Sequence, residues 1–342
     1  MVYDVVVAGA SFAGLAFATN LKTKKVLLID RKKPGTLVTS ACAAPLNLLE
    51  NRGLEKAIIQ QVKTVEFSTG YGKIQYKTQI PFVTFDYQTF CQTYFNRFEG
   101  EFKKENIVNF NGEKVITDKG EHCGKVFIDA TGWSAKLVSS LKPDFYNRQK
   151  LGFGIETELP YSSSKLHFIF DPKVIKGGYA WIFPIGQKSR FGLGTYQNRT
   201  DLKGELSKFI QGYGFALDGQ IHGGFMPYGL RSPTFQNVFL IGDSAGQIVP
   251  LTGEGIRQAI YFAEECARLV QQYLDGEISL EKSLINYRHF VLKHRSGYFL
   301  FHFLQKAWLT IPNFLLQTIA SVLGRPWPCQ LAQKLYFKWM YP

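Results

Sequence analysis

Residues 237–256 read NVFLIGDSAGQIVPLTGEGI, and this stretch decides the fold. The apolar run Val238 to Ile241 has the composition of a buried strand, and it delivers Gly242 and Asp243 at the strand end. A carboxylate placed there can accept hydrogen bonds from the hydroxyls of a bound sugar alcohol. Pro250, Gly253 and Gly255 follow in a segment with few side chains, so a planar ring can approach its backbone closely. Glu254 opens a helical pattern over Ile256 to Leu274, whose N-terminal dipole favours negative charge on whatever lies before it.

The N-terminus supplies a counterpart. Val2, Val5, Val6 and Val7 make a β-rich run, followed by Gly9-Ala10-Ser11-Phe12-Ala13-Gly14, a helical pattern, a second strand Val26 to Ile29, and Asp30. This is a βαβ dinucleotide fingerprint with an acidic ribose ligand closing the second strand. Ser11 stands where the second glycine normally admits the pyrophosphate, so the approach is looser or the hydroxyl itself binds a phosphate oxygen. Asp30 suits a free 2′-hydroxyl and repels a 2′-phosphate, which favours the adenosine of FAD over NADP. Arg31, Lys32 and Lys33 read as a solvated loop. A third segment, Lys125 to Gly132 (KVFIDATG), is an apolar strand ending in a glycine turn.

In this order the three segments resemble the p-hydroxybenzoate hydroxylase-type flavoproteins, and two more motifs narrow the resemblance to the geranylgeranyl reductase family. One is Tyr179-Ala180-Trp181-Ile182-Phe183-Pro184, similar to that family's YxWxFP signature, with Gly186, Gly192 and Gly194 after it. The other is Pro250-Leu251-Thr252-Gly253-Glu254-Gly255-Ile256, similar to the family's flavin-contacting loop. The resemblance covers Val2 to about Leu274, and the C-terminal portion matches no motif.

The resemblance implies FAD bound by Gly9, Ser11, Ala13, Gly14, Asp30, Gly132, Gly242, Asp243, Pro250, Gly253, Gly255 and Ile256. It also places Cys42 and Ala43, in Thr39-Ser40-Ala41-Cys42-Ala43, beside the flavin. Where the family carries an arginine that contacts FAD, this chain has Tyr87. Alternation along a strand puts Tyr179, Trp181 and Phe183 on one face, which the resemblance makes an apolar wall for a hydrocarbon chain, with Pro184 also expected among the substrate-binding residues. The activity implied is FAD-dependent reduction of carbon–carbon double bonds in the isoprenoid (geranylgeranyl) chain of a membrane lipid or prenylated quinone. Cys42 and Tyr179 are the candidate catalytic residues. The alternative is an FAD-dependent monooxygenase or halogenase of the same fold. Only one nucleotide fingerprint is present, so the electron donor is a docked NAD(P)H or a small redox protein.

The expected fold class is α/β: a Rossmann-type FAD-binding domain with an interleaved antiparallel-sheet substrate domain and a helical C-terminal region. The nucleotide domain is expected at 1–70, 105–150 and 235–275, the substrate domain at 71–104 and 151–234, and the C-terminal helices at 276–342. Strand-like runs Gly152–Leu159, Leu166–Phe170, Gly178–Pro184 and Arg190–Tyr196 form the antiparallel sheet.

Five widely spaced cysteines, Cys42, Cys91, Cys123, Cys266 and Cys329, include no CxxC pair and no metal-ligand pattern, so neither a disulfide framework nor a metal is expected. A net charge of +13 with 15% aromatic residues points to an anionic surface, and scattered basic residues without a binding motif exclude nucleic acid in favour of a membrane. Pro312 to Leu323 reads as an amphipathic helix ending at Gly324, with Phe314, Leu315, Ile319 and Val322 on one face. Arg295, Lys306, Arg325, Lys334 and Lys338, mixed with Trp308, Trp327, Tyr336 and Trp339, resemble an interfacial anchor. The expected location is cytoplasmic and peripheral to a membrane, because the first strand starts almost at once and leaves no room for a signal segment.

Overall fold

The computed structural model describes residues 2–23, 25–38, 40–323 and 325–340. The chain forms two compact units, each assembled from three segments. Met1–Leu37, Gln88–Arg148 and Pro227–His302 make the first, and Val38–Tyr87, Gln149–Met226 and Phe303–Pro342 the second.

The first unit is built on a sheet of order Thr234–Phe235, Val238–Leu240, Glu121–Asp129, Val2–Ala8, Val26–Asp30 and Glu101–Lys104. Val2–Ala8 runs parallel to both neighbours, with Val5 opposite Val26 on one side and Val126 on the other. Val5, Val6, Val7, Leu27, Leu28 and Ile29 are all inaccessible, as a parallel sheet covered on both faces requires. The crossover is helix Phe12–Ala18, against which the helix Ile256–Leu274 packs. Gly9 (φ 107°) makes that crossover possible: a Cβ there would lie 2.2 Å from the Ala130 carbonyl oxygen.

The second unit carries an eight-stranded sheet of order His222–Pro227, Leu151–Leu159, Lys188–Thr195, Gly178–Ile185, Leu166–Phe170, Ile58–Thr69, Gly72–Phe85 and Ala43–Pro45. The four expected strands appear within two residues of their anticipated bounds. The sheet is not wholly antiparallel, since Leu166–Phe170 pairs in parallel with Ile58–Thr69. Its two faces differ in composition. On one, Ile155, Ile169, Ala180, Ile182, Phe191 and Leu193 form an aliphatic core with Leu206 and Ile210 of helix Lys203–Gln211. On the other, Val65, Leu166, Trp181 and Phe183 gather with Phe67, Tyr76, Phe168 and Tyr179.

Residues 38–70, expected with the nucleotide domain, lie in the second unit, because Ile58–Thr69 pairs with Gly72–Phe85 and Leu166–Phe170. The helical region divides between the units at His302 and Phe303. Helices Asn313–Leu323 and Pro326–Met340 pack on strands Ile58–Thr69 and Gly72–Phe85. Gly324 lies outside the described residues, as do the side chains of Lys338 and Trp339.

Candidate functional site

In the first unit, the residues expected to hold a dinucleotide converge at the carboxyl ends of the parallel strands, the usual ligand edge of such sheets. Gly9 turns the chain out of the first strand, and a Cβ on Gly14 would lie 1.8 Å from the Gly9 carbonyl oxygen, so helix and turn touch backbone to backbone. Ser11 is the N-cap of helix Phe12–Ala18, though its hydroxyl caps no N–H of that helix. Asp30 closes the second strand and accepts the Ala10 N–H at 2.8 Å and the Lys32 N–H at 3.0 Å. Each oxygen keeps a lone pair for a ribose hydroxyl.

Gly242 (φ 63°) brings the Asp243 turn against the same helix: a Cβ there would lie 3.0 Å from Ala13 Cβ. The Gly242 N–H donates to Gln247 Oε1 at 2.6 Å, Gln247 Nε2 donates to the Tyr287 hydroxyl, and that hydroxyl donates to the Leu240 carbonyl at 3.1 Å. This buried chain rigidifies the turn, and neither Gln247 nor Tyr287 carries a motif that would single it out in the sequence. Burial pushes the Asp243 carboxyl up to about 6, against the pull of the Arg231 guanidinium. Arg231, also unmarked in the sequence, donates to the Trp133 carbonyl at 2.7 Å.

The acid of the KVFIDATG segment has a different task. Asp129 is fully buried, accepts the Thr131 hydroxyl at 2.7 Å, the Leu137 N–H at 2.9 Å and the Ser244 hydroxyl at 3.0 Å, and so ties two strand ends together. Gly132 (φ 83°) stands beside open space, with nothing within 4 Å of an added Cβ. Pro250 and Gly253 (φ 67°) lie in the loop before Gly255, the N-cap of helix Ile256–Leu274. Glu254 pairs with Arg257 through two bonds, at 2.5 and 2.7 Å, which fixes the loop to the helix it precedes. A turn opened by Gly9, an acid at the second strand and a half-buried acid at the last one fit the pyrophosphate, ribose and ribityl groups of a flavin dinucleotide in turn.

The remaining expected residues belong to the second unit. Cys42 is inaccessible and adopts φ 50°, a left-handed conformation that disfavours any residue with a Cβ. Its Sγ lies 3.2 Å from the Ser40 carbonyl oxygen, and its own carbonyl accepts the Phe85 N–H at 3.0 Å. Arg190, which sequence reasoning passed over, donates to the Ala41 carbonyl at 2.9 Å and is itself almost fully buried. Ala43 begins the strand beside it and joins the aromatic cluster.

Tyr179, Trp181 and Phe183 do share a face, with centroid separations of 5.9 and 6.3 Å between successive rings. Phe168 lies 6.0 Å from Tyr179 and 5.3 Å from Phe183, and Phe67 stacks on Phe168 and on Tyr76. Pro184 alternates to the opposite side, and its carbonyl accepts the Thr84 hydroxyl. Burial pushes the Tyr179 phenol up to about 12, so it keeps its proton at neutral pH. Among the described residues no cluster of His, Cys, Asp and Glu could hold a metal ion.

No protein-family model matches the chain. Digeranylgeranylglycerophospholipid reductase of Methanocaldococcus jannaschii is 31% identical over 124 residues, which are 34% of this chain and 30% of that relative. The match therefore spans less than a third of the relative's length. Among solved structures, a geranylgeranyl bacteriochlorophyll reductase-like protein of Thermoplasma acidophilum superposes with a TM-score of 0.84 at 17% identity, covering 95% of this chain and 92% of that one. A probable FAD-dependent monooxygenase of Pseudomonas aeruginosa shares the fold at a TM-score of 0.70 and 16% identity, covering 91% and 97%. Over about a third of its length the chain is thus similar in sequence to digeranylgeranylglycerophospholipid reductases, and over nearly all of it the chain has the fold of the FAD-dependent flavoproteins.

Proposed function

We propose that the protein binds FAD and reduces carbon–carbon double bonds in the prenyl chain of a membrane lipid. The observation that carries this reading is the aromatic face of the second unit, where Phe67, Tyr76, Phe168, Tyr179, Trp181 and Phe183 stand side by side with few polar atoms among them. Such a surface suits a hydrocarbon chain, which gains about 0.8 kcal/mol for each methylene taken out of water. The names of the relatives point to the same substrate class, and a prenylated quinone would present the same chain.

Gly9, Ser11, Gly14 and Asp30 would hold the pyrophosphate and adenosine ribose, and Asp243 the ribityl chain. Bound FAD in its reduced form supplies the hydride. An isolated alkene is a poor hydride acceptor, so a proton must reach the other alkene carbon in the same step or before it. Tyr179 is protonated at neutral pH and lies on the aromatic face, and Cys42 brings a thiol that donates to the Ser40 carbonyl. These two position or relay that proton. Electrons come from NAD(P)H or a small redox protein. The monooxygenase alternative rests on likeness of fold alone.

The substrate would be met at a membrane surface. From Phe303 to Met340 the chain carries Lys306, Arg325, Lys334 and Lys338 and no acidic residue. In the helices there Gln317 and Gln333 point inward to bond Thr69 and Gln79, beside buried Leu316 and Cys329, while Phe303, Phe314, Ile319, Trp327, Leu331 and Leu335 are exposed. Among the described residues no helix is long and apolar enough to cross a membrane, so the apolar side would lie in the interface.

The test is anaerobic incubation of flavin-loaded, chemically reduced protein with a geranylgeranyl lipid, followed by mass spectrometry. A gain of two mass units per reduced bond, with oxidation of the flavin, is the expected outcome. Flavin that stays reduced in the presence of the lipid, but is oxidised with peroxide release when oxygen is admitted, would support the monooxygenase instead.

A further inference from the structure

Beneath the aromatic face lies a polar group that the proposed reaction does not yet use. Glu156 is 2% exposed, and its two carboxylate oxygens have different partners. Trp181 Nε1 donates to Oε2 at 2.8 Å, and His222 Nε2 lies 2.7 Å from Oε1. The indole lies on the glycine strip of the neighbouring strands: a Cβ on Gly192 would fall 2.2 Å from Trp181 Cε2, and one on Gly154 would fall 3.3 Å from Cη2. Register explains this, because Trp181 is opposite Gly192, which is opposite Glu156. One ring face is therefore seated on backbone, and the other is turned to the side where Tyr179 and Phe183 stand.

A buried acid hydrogen-bonded to an indole N–H does two things. It fixes the plane of the ring, and its negative charge raises electron density on the ring face, which attracts cations more strongly. The second effect has no use toward a neutral hydrocarbon. It has one if the prenyl chain carries positive charge during reaction, as it does when a proton from water adds to one alkene carbon and leaves its neighbour cationic. Flavin, where bound in its reduced form, would supply the hydride that such a centre takes up, the alkene being reduced as the flavin is oxidised.

We infer that Glu156, supported by His222, is a positioning residue that acts through Trp181 to favour a cationic centre on the bound prenyl chain. This rests on the reading of the aromatic face as the prenyl wall. The experiment therefore separates the two by measuring binding, not turnover. A prenyl-tailed tertiary ammonium and its isosteric neutral hydrocarbon are titrated against flavin-loaded protein and followed by tryptophan fluorescence. Wild type should prefer the ammonium by about tenfold. Glu156→Gln keeps the size and the acceptor for the indole and removes the charge, so it should bring that preference to within about twofold while leaving affinity for the neutral tail unchanged. An undiminished preference in Glu156→Gln would overturn the inference. Should that variant not fold, fluorinated tryptophans incorporated in its place should lower the preference stepwise as fluorine is added, and a flat series would be equally fatal. Failure of Trp181→Ala to weaken either probe would instead strike the prenyl-wall reading itself.

Discussion

Asp30 Oδ2 accepts the Ala10 N–H at 2.8 Å, so the acid at the end of the second strand also braces the turn that leaves the first. One residue thus braces the turn after the first strand and, in the function proposed above, would also present a carboxylate to a ribose. Asp30→Ala should lower flavin content and also destabilise the unit by about 1 to 3 kcal/mol, since the Ala10 and Lys32 N–H groups lose a charged acceptor. Flavin absorbance per protein and a urea melt measure the two effects, and a variant that kept both would remove Asp30 from the site.

Asp243 should trade stability for binding. Its carboxyl is raised to about 6 in the folded protein, so the folded state holds its proton more tightly than the unfolded chain does. The resulting penalty is absent below the unfolded value near pH 4, grows as pH rises, and is complete above pH 6. At pH 7 it amounts to about 3 kcal/mol at most. Flavin-free Asp243→Asn should therefore be more stable than wild type at pH 7 and equal to it at pH 4, while binding FAD more weakly. Denaturant melts at the two pH values decide this, and equal stability at both would contradict it.

Cys42 sits at φ 50°, where a Cβ costs about 1 to 2 kcal/mol and glycine does not. Cys42→Gly should relieve that strain, offset by about 0.4 to 1 kcal/mol of unfolded-chain entropy, and come out at least as stable as Cys42→Ala. Both variants should keep FAD yet slow alkene reduction or change the number of bonds saturated. An unaltered rate and product pattern would assign Cys42 to packing alone.

Trp181→Ala should weaken long prenyl substrates far more than short ones, because only a long chain reaches the opened part of the wall. Each methylene that loses its cover forfeits up to about 0.8 kcal/mol. Apparent KM measured across a series of chain lengths should diverge as the chain grows, whereas a uniform loss would indicate a folding defect.

The outward apolar side of the last three helices predicts binding to anionic vesicles above neutral ones, weakening with salt, since each basic residue near such a surface contributes about 1 kcal/mol. Removing 325–342 should reduce sedimentation with vesicles and leave flavin content unchanged. Equal recovery in the supernatant with both lipid types at low salt would make these helices a cover for the strands they pack on.

Much of this protein is determined by local pattern. A β-rich run before Gly9, a strand ending in Gly242-Asp243 and strict alternation at Tyr179, Trp181 and Phe183 report which way each side chain faces, because strand and helix periods act between near neighbours. From these the nucleotide fold and the aromatic face follow. Pairing across a sheet has no such local signal. Only the pairing of four strands places Glu156 under Trp181 and next to His222, 25 and 66 residues away along the chain. Tertiary context alone reveals that Asp129 is occupied in tying two strand ends together, that Cys42 is held left-handed, and that residues 38–70 belong to the second unit, where Ile58–Thr69 pairs into its sheet. The C-terminal helices make the same point. Their apolar stripes are legible at a spacing of three and four residues, but sequence cannot say whether such a stripe faces inward or outward. Their glutamines are bonded to Thr69 and Gln79, so here the stripe faces out.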